Sequence, residues 1–284
     1  MRQPLDELDR LQHSRDAAFR DLLARLAKAR LKQDNVAAYK AEDALADLLR
    51  DTQAAAEVIG RRRIQLEAES ITRRSFQEVP PVPFVEAIEA LIERVPALAR
   101  GFAEARERYQ KGAFALARSS SEVVTRHVQK TIAQAMRLGQ ARDTVTNEIA
   151  EALGARDFSK PGASFMRSYA DTVFRTTTAS AYAEGRQRQA DDPAIRRVVS
   201  AWRYDATNDR NVRHNHLAAD GFVAHMDDPV WNFLKPPLGF NCRCVLVMVS
   251  NRRAMKAGVV SPNGVMIPQA PPAGAHPDPG FKRG

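Results

Sequence analysis

The sequence predicts a mainly α-helical protein whose N-terminal and middle regions precede a small α+β module with short antiparallel strands. Between Pro4 and Pro80 the chain has no proline and only one glycine, Gly60, and is rich in Ala, Leu, Arg and Glu, a composition typical of helices. Apolar residues in this stretch recur every three or four positions, the period of an amphipathic helix. Residues 198–204 and 244–249 are β-branched, aromatic or apolar and predict two strands.

The chain divides into four predicted parts. Residues 1–78 form a helical arm or hairpin, and the apolar stripes fit either a hairpin that packs on itself or an arm that docks on an assembly partner. A proline-rich break opens a helical connector over residues 79–129. Residues 130–250 form the module, and residues 251–284 form a flexible basic tail with six prolines and five glycines.

Charge and composition narrow the class of protein. The 284 residues carry a net charge of +9, with 27% charged residues, which argues against disorder and against an integral membrane fold. The excess lies in residues 79–190 and 251–284, each net +4, whereas residues 191–250 are neutral. Contact with nucleic acid is therefore expected in those two basic parts, through phosphates and without base readout. The acidic and basic residues of the first ten positions predict no secretory signal.

The chemistry-bearing residues collect in the long loop between the two predicted strands. His216, Cys242 and Cys244 combine an imidazole with two thiols, which are zinc ligands, and a metal would organise a loop that has little periodicity. The Cys-x-Cys spacing differs from the Cys-x-x-Cys of zinc fingers. Two interpretations stay open: a zinc site, or a hydrogen-bonded histidine beside two buried thiols.

An enzymatic role is not predicted. The chain lacks the His-x-Glu and Pro-Cys-x-x-Cys pattern of zinc deaminases, and nothing near either thiol marks an activated nucleophile. The alternative is a metal-dependent nuclease acting on DNA, or a Cys/His hydrolase, built on His216, Cys242 and Cys244.

The chain carries an ordered set of motifs: Ala201-Trp202-Arg203, then Asp209-x-x-Val212-Arg213-x-x-His216, then Asp220-Gly221, then Pro236-Pro237-x-Gly239-Phe240-Asn241-Cys242-Arg243-Cys244. This set resembles the phage Mu F-like family of minor head, or head morphogenesis, proteins. The similarity covers about residues 130–250, and Asn211 stands where the family commonly has arginine. The residues that carry the motifs, and are expected to have structural roles, are Trp202, Asp209, Arg213, Asp220, Gly221, Asn241 and Arg243.

The resemblance implies a site and a function. His216, Cys242 and Cys244 match its recurring polar positions, so they would be three ligands of a metal, with Asp209, Asp220, His214 or water as the fourth. The implied protein is a minor structural component of a tailed-phage or prophage head that associates with the portal and acts in head morphogenesis and DNA packaging or delivery. Its partners would be the portal, other capsid or scaffold proteins and packaged DNA, without a membrane. It would be made in the host cytoplasm and lie inside the head.

Overall fold

The structure is a computed structural model that describes residues 6–72, 96–154 and 161–281. Within these ranges most of the chain is helical, as predicted. The proline-rich break at residues 79–83 lies outside them. The long helices are α1 (Asp6–Leu31), α2 (Asn35–Thr72), α3 (Pro96–Arg137), α4 (Arg142–Gly154) and α5 (Pro161–Ala190). The C-terminal part contains α6 (Pro193–Arg196), β1 (Val199–Asp205), α7 (His214–Leu217), β2 (Val223–His225), α8 (Trp231–Leu234), β3 (Val245–Ser250) and α9 (Asn251–Lys256).

The described residues belong to two compact units. The helical unit contains residues 11–54 and 99–174, and the sheet unit takes its residues from 1–10, 55–98 and 175–284. The four predicted parts are consecutive segments of the chain, whereas each of these units combines segments that are distant in sequence. The predicted domain boundaries therefore stay a prediction.

The helical unit has a core of apolar side chains from all five long helices. The Phe19 and Phe174 rings lie 5.1 Å apart between centroids, and Leu45 and Leu49 of α2 are buried with them. The turn at residues 32–34 joins α1 and α2 in a helical hairpin, with Gln33 at a φ of 56°. The 3.6-residue period therefore predicted the buried stripes, and the core that covers them comes from three further helices.

The sheet unit contains one antiparallel sheet with the strand order β2–β1–β3. The sequence predicted β1 and β3 within one residue at each end, and it missed β2, which has three residues. Trp202 and Trp231 are buried in the core of this unit, and so are Ile64 and Ala68 of α2. The second half of α2 is thus part of the core beneath the sheet.

Two glycines permit close contact between α2 and α5 within the sheet unit. A Cβ atom at Gly60 would overlap the Tyr182 carbonyl oxygen, and one at Gly185 would overlap the Glu57 carbonyl oxygen. Next to this crossing, buried Arg186 forms an ion pair with Glu67 at 2.8 Å and donates to the Leu246 carbonyl oxygen at 2.6 Å. One ion pair therefore connects two helices to β3.

Residues 251–281 are folded onto the sheet unit, which differs from the expected flexible tail. Val259, Val260 and Ala275 are buried, and the Asp278 amide donates to the Leu238 carbonyl oxygen at 2.7 Å. The glycines of this segment sit in turns with positive φ, as at Gly264. Proline and glycine here shape turns between anchored residues, so the composition alone was a poor guide.

Candidate functional site

The three side chains predicted as metal ligands converge in the sheet unit. His216 Nδ1 lies 3.6 Å from Cys242 Sγ and 4.0 Å from Cys244 Sγ. All three potential ligand atoms lie within 4.8 Å of one another. The side chains are 2%, 5% and 7% exposed, respectively, so the cluster is buried.

His216 is held from its other side by a residue that the sequence did not predict. The imidazole sits on the short helix α7, and its Nε2 lies 3.2 Å from Asp278 Oδ1. A carboxylate oxygen accepts hydrogen bonds, so it favours the tautomer with the proton on Nε2 and a lone pair on Nδ1. Nδ1 is the atom that faces the sulfurs. No local motif could have pointed to Asp278, because it lies in the proline-rich C-terminal segment.

Asp278 is itself fixed by three neighbours. Arg213 Nε lies 3.1 Å from Oδ2, and Asn215 Nδ2 donates to Oδ1 at 3.1 Å. Gly239 leaves the space that the carboxylate occupies, since a Cβ atom there would overlap Asp278 Oδ2. Arg213 also donates to the Phe240 carbonyl oxygen at 2.8 Å. Arg213 thus holds the carboxylate and the loop that precedes the cysteines.

The backbone before β3 directs both cysteines toward His216. Asn241 has a φ of 57°, a left-handed conformation that asparagine tolerates better than most residues. Its amide donates to Thr176 Oγ1 at 3.0 Å. Between the two cysteines, Arg243 pairs with Asp209 at 2.6 Å, and its carbonyl oxygen accepts from Thr207 Oγ1 at 2.7 Å. The alternation of the extended chain therefore leaves Cys242 and Cys244 facing inward.

The two sulfurs have different proton affinities. A hydrogen bond from Cys244 lowers the pKa of the Cys242 thiol to about 7, against the effect of burial. The hydrogen bond with Cys242 and burial raise the pKa of Cys244. The hydrogen bond between the two thiols therefore favours the thiolate at Cys242 over the thiolate at Cys244.

Tyr204 of β1 adds a buried hydroxyl next to the sulfurs. Burial, with Cys244 and Cys242 nearby, raises the pKa of Tyr204. The buried hydroxyl interacts with the Cys244 thiol. The sequence predicted a strand at this position and gave no signal that its tyrosine reaches the cluster.

The remaining motif residues shape the loop around the cluster. Asp220 accepts from the Ala206 amide at 2.8 Å and from Asn208 at 3.2 Å, and Gly221 has a φ of 74°. Trp202 lies in the core. Neither Asp220 nor Asp209 belongs to the cluster, and His214 is exposed. Within the described ranges, none of the three candidates for a fourth ligand is near the sulfurs.

The segment that contains His216, Cys242 and Cys244 is similar to a known protein family. Residues 126–247 match the family model described as Phage Mu protein F like protein. The resemblance read from the motifs is therefore confirmed, and residues 126–247 are called the Mu F-like module below. Asp278 lies outside it.

Two curated relatives match an 88-residue stretch, 31% of this chain. One is the "Mu-like prophage FluMu F protein" of Haemophilus influenzae, 33% identical over a stretch that is 21% of its length. The other is the "Putative capsid assembly protein F" of Escherichia phage Mu, 32% identical over 20% of its length. The matched stretch is thus about a fifth of either relative, and no solved structure matches the chain significantly.

Within the described ranges, no helix is both long enough and apolar enough to cross a membrane.

Proposed function

We propose that this protein is a minor structural component of a tailed-phage or prophage head and acts in head assembly. The support is the Mu F-like module, together with a relative that is named as a putative capsid assembly protein. Mass spectrometry of purified heads tests the proposal: a few copies of the chain should be present. Heads that assemble in normal number without the chain would contradict it.

The proposed partner is the portal, contacted through α2 of the helical unit. Val36 and Tyr39 lie one turn apart on this helix and are 67% and 66% exposed, although both are apolar or aromatic. Paired aromatic and aliphatic side chains on one helix face are typical anchors for another helical protein.

Two substitutions test this contact without disturbing the fold. Val36→Ser with Tyr39→Ser should abolish co-purification with the portal protein of the same phage genome, whereas Lys40→Ser, at an exposed position of the same helix, should not. Deletion of residues 1–78 is a poor test, because Ile64 and Ala68 belong to the core of the sheet unit. Undiminished portal binding by the double variant would exclude this surface.

Packaged DNA is the second proposed partner, contacted without sequence preference. Arg252, Arg253 and Lys256 are exposed on α9, and none of them forms an ion pair within the described part of the chain. Free cations of this kind displace counterions from phosphates, so binding should fall steeply with salt.

The DNA contact is tested by matched charge removal. Replacing Arg252, Arg253 and Lys256 with glutamine should weaken DNA binding and flatten its dependence on salt. Replacing Arg25, Arg188 and Arg203, which are already paired with carboxylates, should have a smaller effect. Equal losses in both triple variants would mean that net charge alone governs binding.

The head interior is the proposed location in the virion, with synthesis in the host cytoplasm. Protease treatment of intact heads should leave the chain whole, while treatment of opened heads should cleave it. Cleavage in intact heads would place it outside.

The nuclease or hydrolase alternative finds little support in the geometry. Cys242 and Cys244 are buried, so neither sulfur is presented to a substrate at the surface. Thiolates also select soft metals, whereas Mg²⁺ prefers oxygen ligands. We expect no DNA cleavage with added Mg²⁺ or Mn²⁺. Cleavage that His216→Ala abolishes would restore this alternative.

A further inference from the structure

The cluster of His216, Cys242 and Cys244 has the dimensions of a zinc site. Tetrahedral zinc has Zn–S distances of about 2.3 Å and Zn–N distances of about 2.0–2.1 Å, which place nitrogen and sulfur ligands about 3.6 Å apart. The corresponding separations here are 3.6 and 4.0 Å. A zinc ion therefore fits between the three atoms with little movement of the side chains.

We propose that Nδ1 of His216 and the sulfurs of Cys242 and Cys244 bind one structural zinc ion. One nitrogen and two thiolate ligands favour zinc over Mg²⁺ or Ca²⁺, which take oxygen ligands. The proposal goes beyond head assembly, and it is tested on the purified chain independently of any partner.

The surroundings of His216 support a ligand role for Nδ1. Histidine ligands usually donate their other ring N–H to a carboxylate, which fixes the tautomer and the ring orientation. Asp278 lies 3.2 Å from Nε2 and is held by Arg213 and Asn215. Asp278 is thus a positioning residue, and the arrangement supplies a buried imidazole whose lone pair points at two sulfurs.

A bound metal ion would also explain why two thiols are buried beside a single imidazole. One imidazole lone pair accepts from only one S–H at a time, so without a metal the second thiol must use the other sulfur, which is a weak acceptor. A bound zinc ion would take both sulfurs as thiolates, and its two positive charges would neutralise their two negative charges. Zinc would then connect α7 to the chain before β3 and, through Asp278, to the C-terminal segment.

The residues named from the sequence as a fourth ligand are held away from the three ligand atoms, so water is the proposed fourth ligand. Asp209 and Asp220 are engaged with Arg243 and the Ala206 amide, and His214 is exposed. The buried Tyr204 hydroxyl interacts with Cys244.

The experiment uses the full chain, purified in reductant, stripped with a chelator and titrated with Zn²⁺ against a chromophoric chelator. We expect one zinc per chain and a higher melting temperature on zinc addition. Substitution with Co²⁺ should produce the intense thiolate-to-cobalt absorption and the visible bands of a tetrahedral centre. Less than stoichiometric zinc after reconstitution, or a cobalt spectrum without thiolate bands, would overturn the proposal.

Matched variants locate the site. Cys242→Ser, Cys244→Ser and His216→Ala should each lose stoichiometric zinc, whereas His214→Ala, at an exposed position of the same helix, should retain it. If a ligand variant does not fold, the cobalt spectrum of the unchanged chain decides the question. Detection of a Cys242–Cys244 disulfide in the protein as isolated without oxidant would also overturn the proposal.

Discussion

His216 Nε2 lies 3.2 Å from Asp278 Oδ1, a carboxylate that follows it by 62 residues in the chain. The contact joins the Mu F-like module to a segment beyond it. It also determines which ring nitrogen faces the two cysteine sulfurs.

Replacement of Asp278 should weaken zinc binding. Asp278→Ala removes the acceptor at Nε2, and loss of such a partner typically reduces metal affinity by about 10–100-fold. Competition with a chromophoric chelator measures the change. Asp227→Ala, which removes an exposed carboxylate paired with Arg196, is the control and should bind zinc normally. Equal affinities in both variants would assign Asp278 a purely structural role.

Gly239→Ala should displace Asp278 without altering any charged group. The added Cβ atom would overlap Oδ2 of that carboxylate, so the side chain must move away from His216 and Arg213. We expect a reduced zinc affinity that parallels Asp278→Ala. The double variant should be no weaker than either single variant, because both changes act through one contact. If the losses in zinc affinity add up in the double variant, the two substitutions act through different contacts.

Arg186→Ala should destabilise the sheet unit strongly. The substitution leaves Glu67 with only Arg63, at 3.6 Å, as an ion-pair partner and removes the hydrogen bond to the Leu246 carbonyl oxygen. Breaking a buried pair typically costs about 3–5 kcal/mol of unfolding free energy, and we expect a loss toward the lower end of that range. Arg203→Ala, on β1 of the same unit, breaks an exposed pair with Asp205 and should cost at most about 1 kcal/mol. Urea unfolding followed by circular dichroism measures both. Similar losses would mean that the Arg186 pair is worth no more than a surface pair.

Gly185→Ala should destabilise the crossing of α2 and α5. The new Cβ atom meets the Glu57 backbone, and such overpacking typically costs about 1–3 kcal/mol. Gly112→Ala is the control, because a Cβ atom there meets nothing and alanine favours a helix by up to about 1 kcal/mol. The prediction is a fall in melting temperature for the first variant and a small rise for the second.

Truncation after Lys256 should lower stability, contrary to what a flexible tail would do. It removes the buried Val259, Val260 and Ala275 together with Asp278. Truncation after Phe281, which keeps all of these residues, is the control. An unchanged melting temperature in the shorter chain would show that the segment contributes nothing to the fold.

Sequence patterns predicted much of the site, but only the parts that repeat or cluster locally. The helical period revealed the stripes of α1 and α2, and β-branched residues revealed β1 and β3. Residue type alone indicated His216, Cys242 and Cys244, because imidazole and thiol groups seldom gather without a reason. Tyr204 and Asp278 were missed, since a strand tyrosine and a tail aspartate carry no signal of where their side chains point.

The sequence by itself determined the helical character, the family of residues 126–247 and the three ligand-type side chains, since each depends on residue types and short spacings. Only the tertiary structure decided that the imidazole faces both sulfurs at 3.6 and 4.0 Å, and that α2 is part of the core below the sheet. It also decided that the proline-rich segment supplies a carboxylate to His216. Long-range contacts of this kind depend on how distant segments close on one another, and no local pattern records that.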